Sequence, residues 1–217
     1  MNFVNMTLSK SAQNLYVRVI RLKQGLIVFL DGTSSSGKTS ISMELKKQKE
    51  IPFHHLSIDD FFGNYNDFID NKFPNIEPTR EVDNVGQILF DPIISVYYAT
   101  IKLFSEMGLN VIVDTVIDND KRFNDYLDLL FDHPTFFVCV LCSKEELTSR
   151  EQIRGDREIG LANSQYDTIY SFDEYDLEVN TEELSPAKCA DKILSYIKSD
   201  QDYSAFKKLS KREISVS

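Results

Sequence analysis

Leu26-Ile27-Val28-Phe29-Leu30-Asp31-Gly32-Thr33-Ser34-Ser35-Ser36-Gly37-Lys38-Thr39 is the stretch on which the reading of this chain turns. Leu26 to Leu30 is a continuous apolar run, as expected of a strand covered on both faces of a parallel sheet. Gly32 to Thr39 fits G-x-x-x-x-G-K-[ST], and helical sequence follows from Lys38 to about Gln48. A loop of this pattern wraps its backbone N–H groups around phosphate oxygens. Its glycines permit the backbone angles and the close approach this needs. The candidate phosphate-binding residues are Gly32, Ser34, Ser35, Ser36, Gly37, Lys38, Thr39 and Ser40. Lys38 would reach the β- and γ-phosphates, Thr39 would hold Mg²⁺, and the helix beginning here aims its positive end at the same anion. The bland alternative is a glycine-serine turn with no ligand. The strand before it and the helix after it argue for the phosphate loop.

Outward from this loop, strands and helices alternate. His55 to Ile58 reads as a second strand, Val111 to Val113 as a third, Phe136 to Leu141 as a fourth and Leu177 to Val179 as a fifth. Asp91-Pro92 reads as an N-cap with proline at the first helical position. Ile93, Tyr97, Ile101 and Phe104 then form the apolar stripe of that helix, and Gly108 ends it. Residues 120–132 and the sequence from Lys144 are helical in character, and Ser185-Pro186 starts a closing helix. This alternation implies an α/β fold with a parallel sheet and helices on both faces. Residues 63–84 are rich in Asn, Asp and Pro and read as a long surface excursion of a functional or mobile kind. No internal repeat or low-complexity tract is present.

Composition sets the outer limits. The chain has 217 residues, 42% of them hydrophobic, which supports one sizeable core. With 24 basic and 34 acidic residues the formal charge is −10. Such a surface repels phosphates, so neither nucleic acid nor an anionic membrane is expected as a general partner. The apolar runs, such as Phe136 to Cys142, are too short to cross a bilayer. No secretory signal peptide is expected, and a cytoplasmic location is. Cys139, Cys142 and Cys189 cannot all pair, and the odd offset of the Cys139–Cys142 pair on a strand places them on opposite faces, against a redox pair. The His and Cys residues form no zinc pattern. Three segments result: an N-terminal extension 1–24, a phosphate-loop domain 25–198, and a basic C-terminal tail 199–217. The extension has Lys10, Arg18, Arg21 and Lys23 but no acid; it reads as an added helix or strand, or as an organellar presequence. Lys207 to Arg212 reads as a solvated, frayed end.

Four further groups of residues carry possible chemistry. Asp59 and Asp60 follow the second strand, at the sheet edge where ligands gather in parallel sheets. Asp59 could accept a proton from an attacking hydroxyl, or cap the next helix; strand alternation would point Asp60 the other way. Asp114 ends the third strand, where an acid can help to hold Mg²⁺ or can cap a loop. Asp118, Asp120, Asp125, Asp128 and Asp132 read as a solvated helix face. Phe61, Phe62, Phe68 and Phe73 would line an acceptor pocket or anchor the excursion. Arg150, Arg154 and Arg157 share one face if helical, with Glu151 and Asp156 between them. Such a segment is a salt-bridged surface helix or a lid whose cations stabilise a transferring phosphoryl group, with Gly155 and Gly160 as hinges.

The segment Arg150-Glu151-x-x-Arg154-Gly155-Asp156-Arg157-x-x-Gly160-x-Ala162-x-x-Gln165 resembles the lid of the chloramphenicol phosphotransferase family. Glu174-Tyr175-Asp176-Leu177-Glu178-Val179-Asn180-Thr181, Ser185-Pro186, Cys189-Ala190, the phosphate loop and the SIDDF run are similar as well. The resemblance covers roughly residues 25–198. It implies a five-stranded parallel sheet in the order 2-3-1-4-5, like the nucleoside and shikimate kinases. It also implies ATP and Mg²⁺, and phosphorylation of a hydroxyl on a small molecule, an antibiotic of the chloramphenicol kind being the first candidate. Asp59 matches the family's base. Lys38, Arg154 and Arg157 are then the other catalytic residues, Arg150 joins the nucleotide-binding set, and Thr39 and Asp114 organise the metal. Tyr170 stands where a lid-end histidine is expected, Asn180 replaces an acid, and residues 63–84 do not match. Two rivals remain open: a toxin-type kinase of a nucleotide sugar, RNA or protein, and a nucleotide-dependent switch or binding module.

Overall fold

Ile27–Asp31 forms strand β1, and every residue in it is buried. The computed structural model describes residues 24–63, 83–117, 120–155, 159–170, 174–199 and 201–214. The expected extension 1–24 lies almost wholly outside these residues, as do most of the 63–84 excursion, Phe68, Phe73, Asp118, Asp156 and Arg157. Helix α1 spans Lys38–Lys47, β2 His54–Ser57, α2 Asp83–Glu106 and β3 Val111–Asp114. They are followed by α3 (Asp120–Leu130), β4 (Thr135–Leu141), α4 (Lys144–Arg154) and α5 (Leu161–Ile169). Strand β5 (Leu177–Asn180), α6 (Pro186–Lys198) and α7 (Ala205–Ile214) complete the order.

The five strands are parallel in the order β2-β3-β1-β4-β5, the order the family resemblance implies. Alternation along β1 sends its side chains into separate cores. Ile27 and Phe29 pack with Tyr97, Ile101, Tyr126 and Phe137 on the α2–α3 face. Val28 and Leu30 pack with Ile41, Leu45, Phe136 and Ile193 on the α1–α6 face. Covered on both sides, the central strands have no polar face, which is why β1 reads as an unbroken apolar run. No helix among the described residues is long and apolar enough to cross a membrane.

Three expectations are corrected. Helix α2 begins at Asp83, so Pro92 lies inside it and not at its first position. Proline removes one N–H donor, a local loss that this 24-residue helix carries. Strand β2 ends at Ser57, and residues 58–63 are helical, so Asp59 and Asp60 sit in a helical turn beyond the strand. The C-terminal segment is not a frayed end. Ala205, Phe206 and Leu209 of α7 are buried in the α2–α3 core while Lys207, Lys208 and Lys211 face solvent. Phe206 meets the Phe137 ring at 5.0 Å, and the Asp176 carboxylate accepts from the Ser204 and Ala205 N–H groups at 2.8 and 3.0 Å. Basic residues at helical spacing thus hide an amphipathic element whose polar face alone is basic.

Candidate active site

The loop between β1 and α1 is shaped by close approach. A Cβ on Gly32 would fall 2.8 Å from the Val140 carbonyl oxygen, and Gly37 takes φ 102° beside the Thr181 side chain. Only glycine fits both demands. Ser35 adopts φ 61°, a left-handed conformation that a non-glycine residue reaches at some cost. The Lys38 ammonium is buried and donates to the Gly32 and Thr33 carbonyls at 2.8 and 2.7 Å. The Ser35 and Ser36 hydroxyl oxygens are buried in the loop and meet no hydrogen-bond partner among the described residues.

Across the sheet edge, Asp114 ends β3. Its Oδ2 accepts from the Thr39 hydroxyl at 2.7 Å and lies 3.3 Å from His55 Nε2. Burial opposes ionisation of this carboxyl. The hydrogen bond from His55, the Lys38 charge and the Thr39 hydrogen bond outweigh it and hold Asp114 below the usual carboxylate range. Asp31, at the end of β1, behaves oppositely. Burial pushes its carboxyl up to about 7 against the Tyr175 hydrogen bond, the Lys38 charge and the Gly32 amide. The Tyr175 hydroxyl donates to Asp31 Oδ2 at 2.8 Å.

The lid elements rest on the loop from the other side. Arg150 Nη1 donates to Thr181 Oγ1 and Nη2 to the Thr181 carbonyl, each at 3.0 Å, while Nε donates to Glu146 at 2.9 Å. The Thr181 hydroxyl donates to the Ser36 carbonyl at 2.7 Å, so Arg150 also braces the phosphate loop. Glu151, read from sequence as one charge in a charged run, has no exposed surface. Its carboxylate accepts from Gly160 N–H at 2.8 Å and Ala162 N–H at 2.7 Å, capping α5. Gln165, one turn further along α5, accepts the Ser34 N–H with its Oε1 at 2.9 Å. The Tyr170 hydroxyl, at the position of the expected histidine, donates to the Val140 carbonyl at 2.8 Å.

These pieces enclose two adjoining chambers. The larger, about 370 Å³, is lined by Ser34, Ser35, Gly37, Lys38, Thr39, Ser40, Asp59, Asp114, Arg150 and Arg154. Ten sequence-selected residues therefore meet around one cavity; Gly32 and Ser36 lie in the same loop behind it, and Arg157 lies outside the described residues. The smaller chamber, about 150 Å³, shares Ser34, Ile58, Asp59, Thr115 and Val116 with the first and adds Phe62, Ile94, Tyr98, Arg122, Tyr126, Leu161 and Gln165. Asp59 borders both chambers, whereas Asp60 lines neither; a helical turn, not strand alternation, separates them. Phe62 faces the smaller chamber, while Phe61 packs edge-on against Tyr97 at 5.0 Å. Sequence reading missed His55, Glu151 and the position of Gln165. An acid shortly before a glycine-led helix start was the available signal for Glu151.

The arrangement has the donors to hold a phosphate chain beside a second chamber. The pattern of chloramphenicol phosphotransferase-like proteins matches residues 25–198. The chain belongs to this family. Two similar proteins come from two strains of Mycobacterium tuberculosis and are provisionally named O-phosphotransferases. Each is 27% identical over 191 residues, covering 82% of this chain and 84% of the relative. Among solved structures, the Mycobacterium tuberculosis APS kinase in complex with AMPPNP and APS is similar in fold. Its TM-score is 0.60 at 14% identity, covering 81% of this chain and 99% of that one. Shikimate kinase from Acinetobacter baumannii in complex with shikimate gives a TM-score of 0.56 at 15% identity, covering 85% and 98%. The chain is thus a phosphotransferase with the P-loop kinase fold.

The donors present suit the groups this fold implies. The turned-in amides and the serine hydroxyls of the loop suit phosphate oxygens. The hydroxyl of Thr39 and the carboxylate of Asp114 are hard oxygen ligands of the kind Mg²⁺ takes, usually with several waters retained. Among the described residues no group of three or more His, Cys, Asp or Glu side chains forms a metal cage, so a metal here would rely on the phosphates as well.

Proposed function

We propose that this protein transfers the γ-phosphate of ATP to a hydroxyl of a small molecule. The observation that carries this reading is Asp59 on the boundary between the phosphate chamber and a second, mostly apolar chamber. Lys38 and the loop amides bind the phosphates. Thr39 and Asp114 would hold Mg²⁺, which when bound neutralises charge on the phosphate oxygens. Asp59 orients the acceptor hydroxyl and takes its proton. In a loose transition state that proton leaves late, so a solvent-exposed carboxylate suffices to receive it. Arg154 and Arg157 stabilise charge on the transferring group, and Arg150 holds the nucleotide side of the loop. A smaller chamber of about 150 Å³ has room for one ring-sized group, which favours a small acceptor over RNA or protein. The family makes chloramphenicol the first acceptor to try, with antibiotic resistance as the corresponding role. Three buried free thiols fit a reducing cytoplasm.

The test is incubation with ATP, Mg²⁺ and a panel of antibiotics, sugars and nucleosides, read by mass spectrometry. One added phosphoryl mass on chloramphenicol identifies the acceptor. Product on another alcohol moves the acceptor but keeps the reaction. A chain that binds ATP and yields no ADP with any of the panel overturns the reading. Asp59→Asn should lower transfer by about a hundredfold to ten-thousandfold while ATP affinity is kept.

A further inference from the structure

Gln165 lines the smaller chamber and is bonded to Ser34, which borders both chambers, and its amide orientation is fixed by the protein itself. A backbone N–H only donates, so the atom 2.9 Å from Ser34 N must be the amide oxygen. The amide nitrogen, with its two N–H donors, is the remaining polar end of a side chain that lines the smaller chamber. The helix that carries it is fixed at its start by the buried Glu151 carboxylate. Asp59 lines the same chamber and offers only acceptor oxygens when ionised. The rest of the wall is largely apolar or aromatic, from Phe62, Ile94, Tyr98 and Leu161, with Arg122 as its one cation among the described residues.

We propose that Gln165 is a further catalytic residue, holding the acceptor oxygen by an amide N–H while Asp59 accepts the acceptor's proton. This inference rests on the phosphotransfer reading of the site and sharpens its substrate class. A neutral hydroxyl both donates and accepts, so it satisfies the pair. An ammonium group has no lone pair for the amide, and a carboxylate has no proton for Asp59 and is repelled by it. The pair therefore selects a hydroxyl as the reacting group, while Arg122 on the same wall can receive a polar or anionic substituent elsewhere on the acceptor. In the transfer step the hydroxyl oxygen bonds to the γ-phosphorus and the bond to the β,γ-bridging oxygen breaks. ADP departs with that electron pair, and the hydroxyl proton passes to Asp59. The bond from Ser34 N–H to Gln165 ties the acceptor's position to the loop that carries the donor.

Two substitutions separate this role from simple capping of Ser34. Gln165→Glu keeps an oxygen for the Ser34 N–H and removes the donor. Gln165→Met keeps the approximate length and removes both. Water, the smallest hydroxyl, is the probe: ADP release from ATP and Mg²⁺ is measured beside ATP binding and thermal melting. The expected result is a fall of about tenfold or more in ADP release in both variants, the worth of one lost hydrogen bond to the reacting group. ATP binding and melting should stay near those of the unsubstituted chain. Loss in Gln165→Met alone assigns a cap and overturns the proposal, as does wild-type release in both. Loss of ATP binding in both variants assigns Gln165 to the nucleotide and also overturns it. An unsubstituted chain that binds ATP but phosphorylates neither water nor any alcohol sinks the phosphotransfer reading itself, a result distinguishable from failure of the Gln165 variants alone.

Discussion

Strands β1 and β3 lie side by side, and each ends in a buried carboxylate close to Lys38. Asp31 is pushed up to about 7, whereas Asp114 is held below the usual carboxylate range. Burial opposes ionisation at both positions and Lys38 favours it at both, but Asp31 is wholly buried while Asp114 keeps a little exposure, and His55 favours the Asp114 anion alone. Asp114 Oδ2 alone faces the Thr39 hydroxyl and His55 Nε2, while Asp31 Oδ2 has Tyr175 and its Oδ1 is buried with no partner among the described residues. Two acids of one sheet edge are thereby set apart: an anion suited to a cation site, and a group poised to be a neutral acid that anchors Tyr175 under the phosphate loop.

Removing the charge both acids share should have the largest effect. In Lys38→Ala, ADP formation should fall by about a hundredfold to a thousandfold, because a positioned cation on the reacting phosphates is lost. Both carboxyls should titrate higher than in the unsubstituted chain, since each loses a favourable charge, and NMR titration of labelled aspartates would show it. Unchanged turnover would break the comparison and the site together.

Asp114→Asn strips the anion from the β3 end but leaves an oxygen for Thr39. Transfer should drop by about tenfold to a hundredfold, the range found when groups supporting a metal are altered. The Mg²⁺ concentration for half-maximal rate should rise. A fall in rate with no change in Mg²⁺ dependence would leave Asp114 as a loop cap.

Glu151 is a third buried carboxylate, satisfied by backbone donors alone. Glu151→Gln places an amide N–H against the Gly160 or Ala162 N–H, and losing that acceptor costs about 1–3 kcal/mol. Hydrogen exchange at those two amides should quicken, and turnover should fall by about tenfold with ATP binding largely kept, because Arg154 and Gln165 lose their common anchor. Unaltered exchange there would show that the cap contributes nothing.

The smallest effect on transfer is expected from Asp31→Asn, which reads out in stability. Asp31 binds its proton up to about pH 7 when folded but only to about 3.8 when unfolded. The unfolded chain therefore holds fewer protons between those values, and the Asp31 contribution falls as pH rises through that window. It is fully present below about pH 3.8 and lost above about pH 7. An asparagine cannot ionise, so the variant should melt higher than the parent at pH 8 and show a flatter pH dependence from 4 to 7. Parallel melting curves across this range would contradict an elevated Asp31.

Much of the site was legible because it is local. The phosphate loop is one unbroken run whose glycines answer to backbone geometry, and Asp114 follows directly from the end of an apolar strand. Ser143 and Ser185 accept from the amides three residues on, as helix caps within one turn of sequence do. Asp59 was singled out as an acid just past the second strand, and it borders the cavity; the strand alternation used to set Asp60 apart does not apply, since both lie in a helical turn. The reading of Asp91-Pro92 failed because a cap signature is local, whereas α2 extends upstream to Asp83.

The sequence by itself determined the phosphate loop, the alternation that makes a parallel α/β sheet, and the family, since these depend on neighbours a few residues apart or on contiguous motifs. Only the tertiary structure decided which charges are buried and what they touch. Glu151 and Gln165 lie among similar polar letters on the lid, and their roles arise from amides 9 and 131 residues away in the chain. Asp31 and Asp114 look alike at two strand ends, and the donors brought to them from Tyr175, His55 and Thr39 set them apart. Desolvation and hydrogen bonding act through space, so the ionisation of a carboxylate is fixed by the packed neighbours of its oxygens and not by its neighbours in the chain.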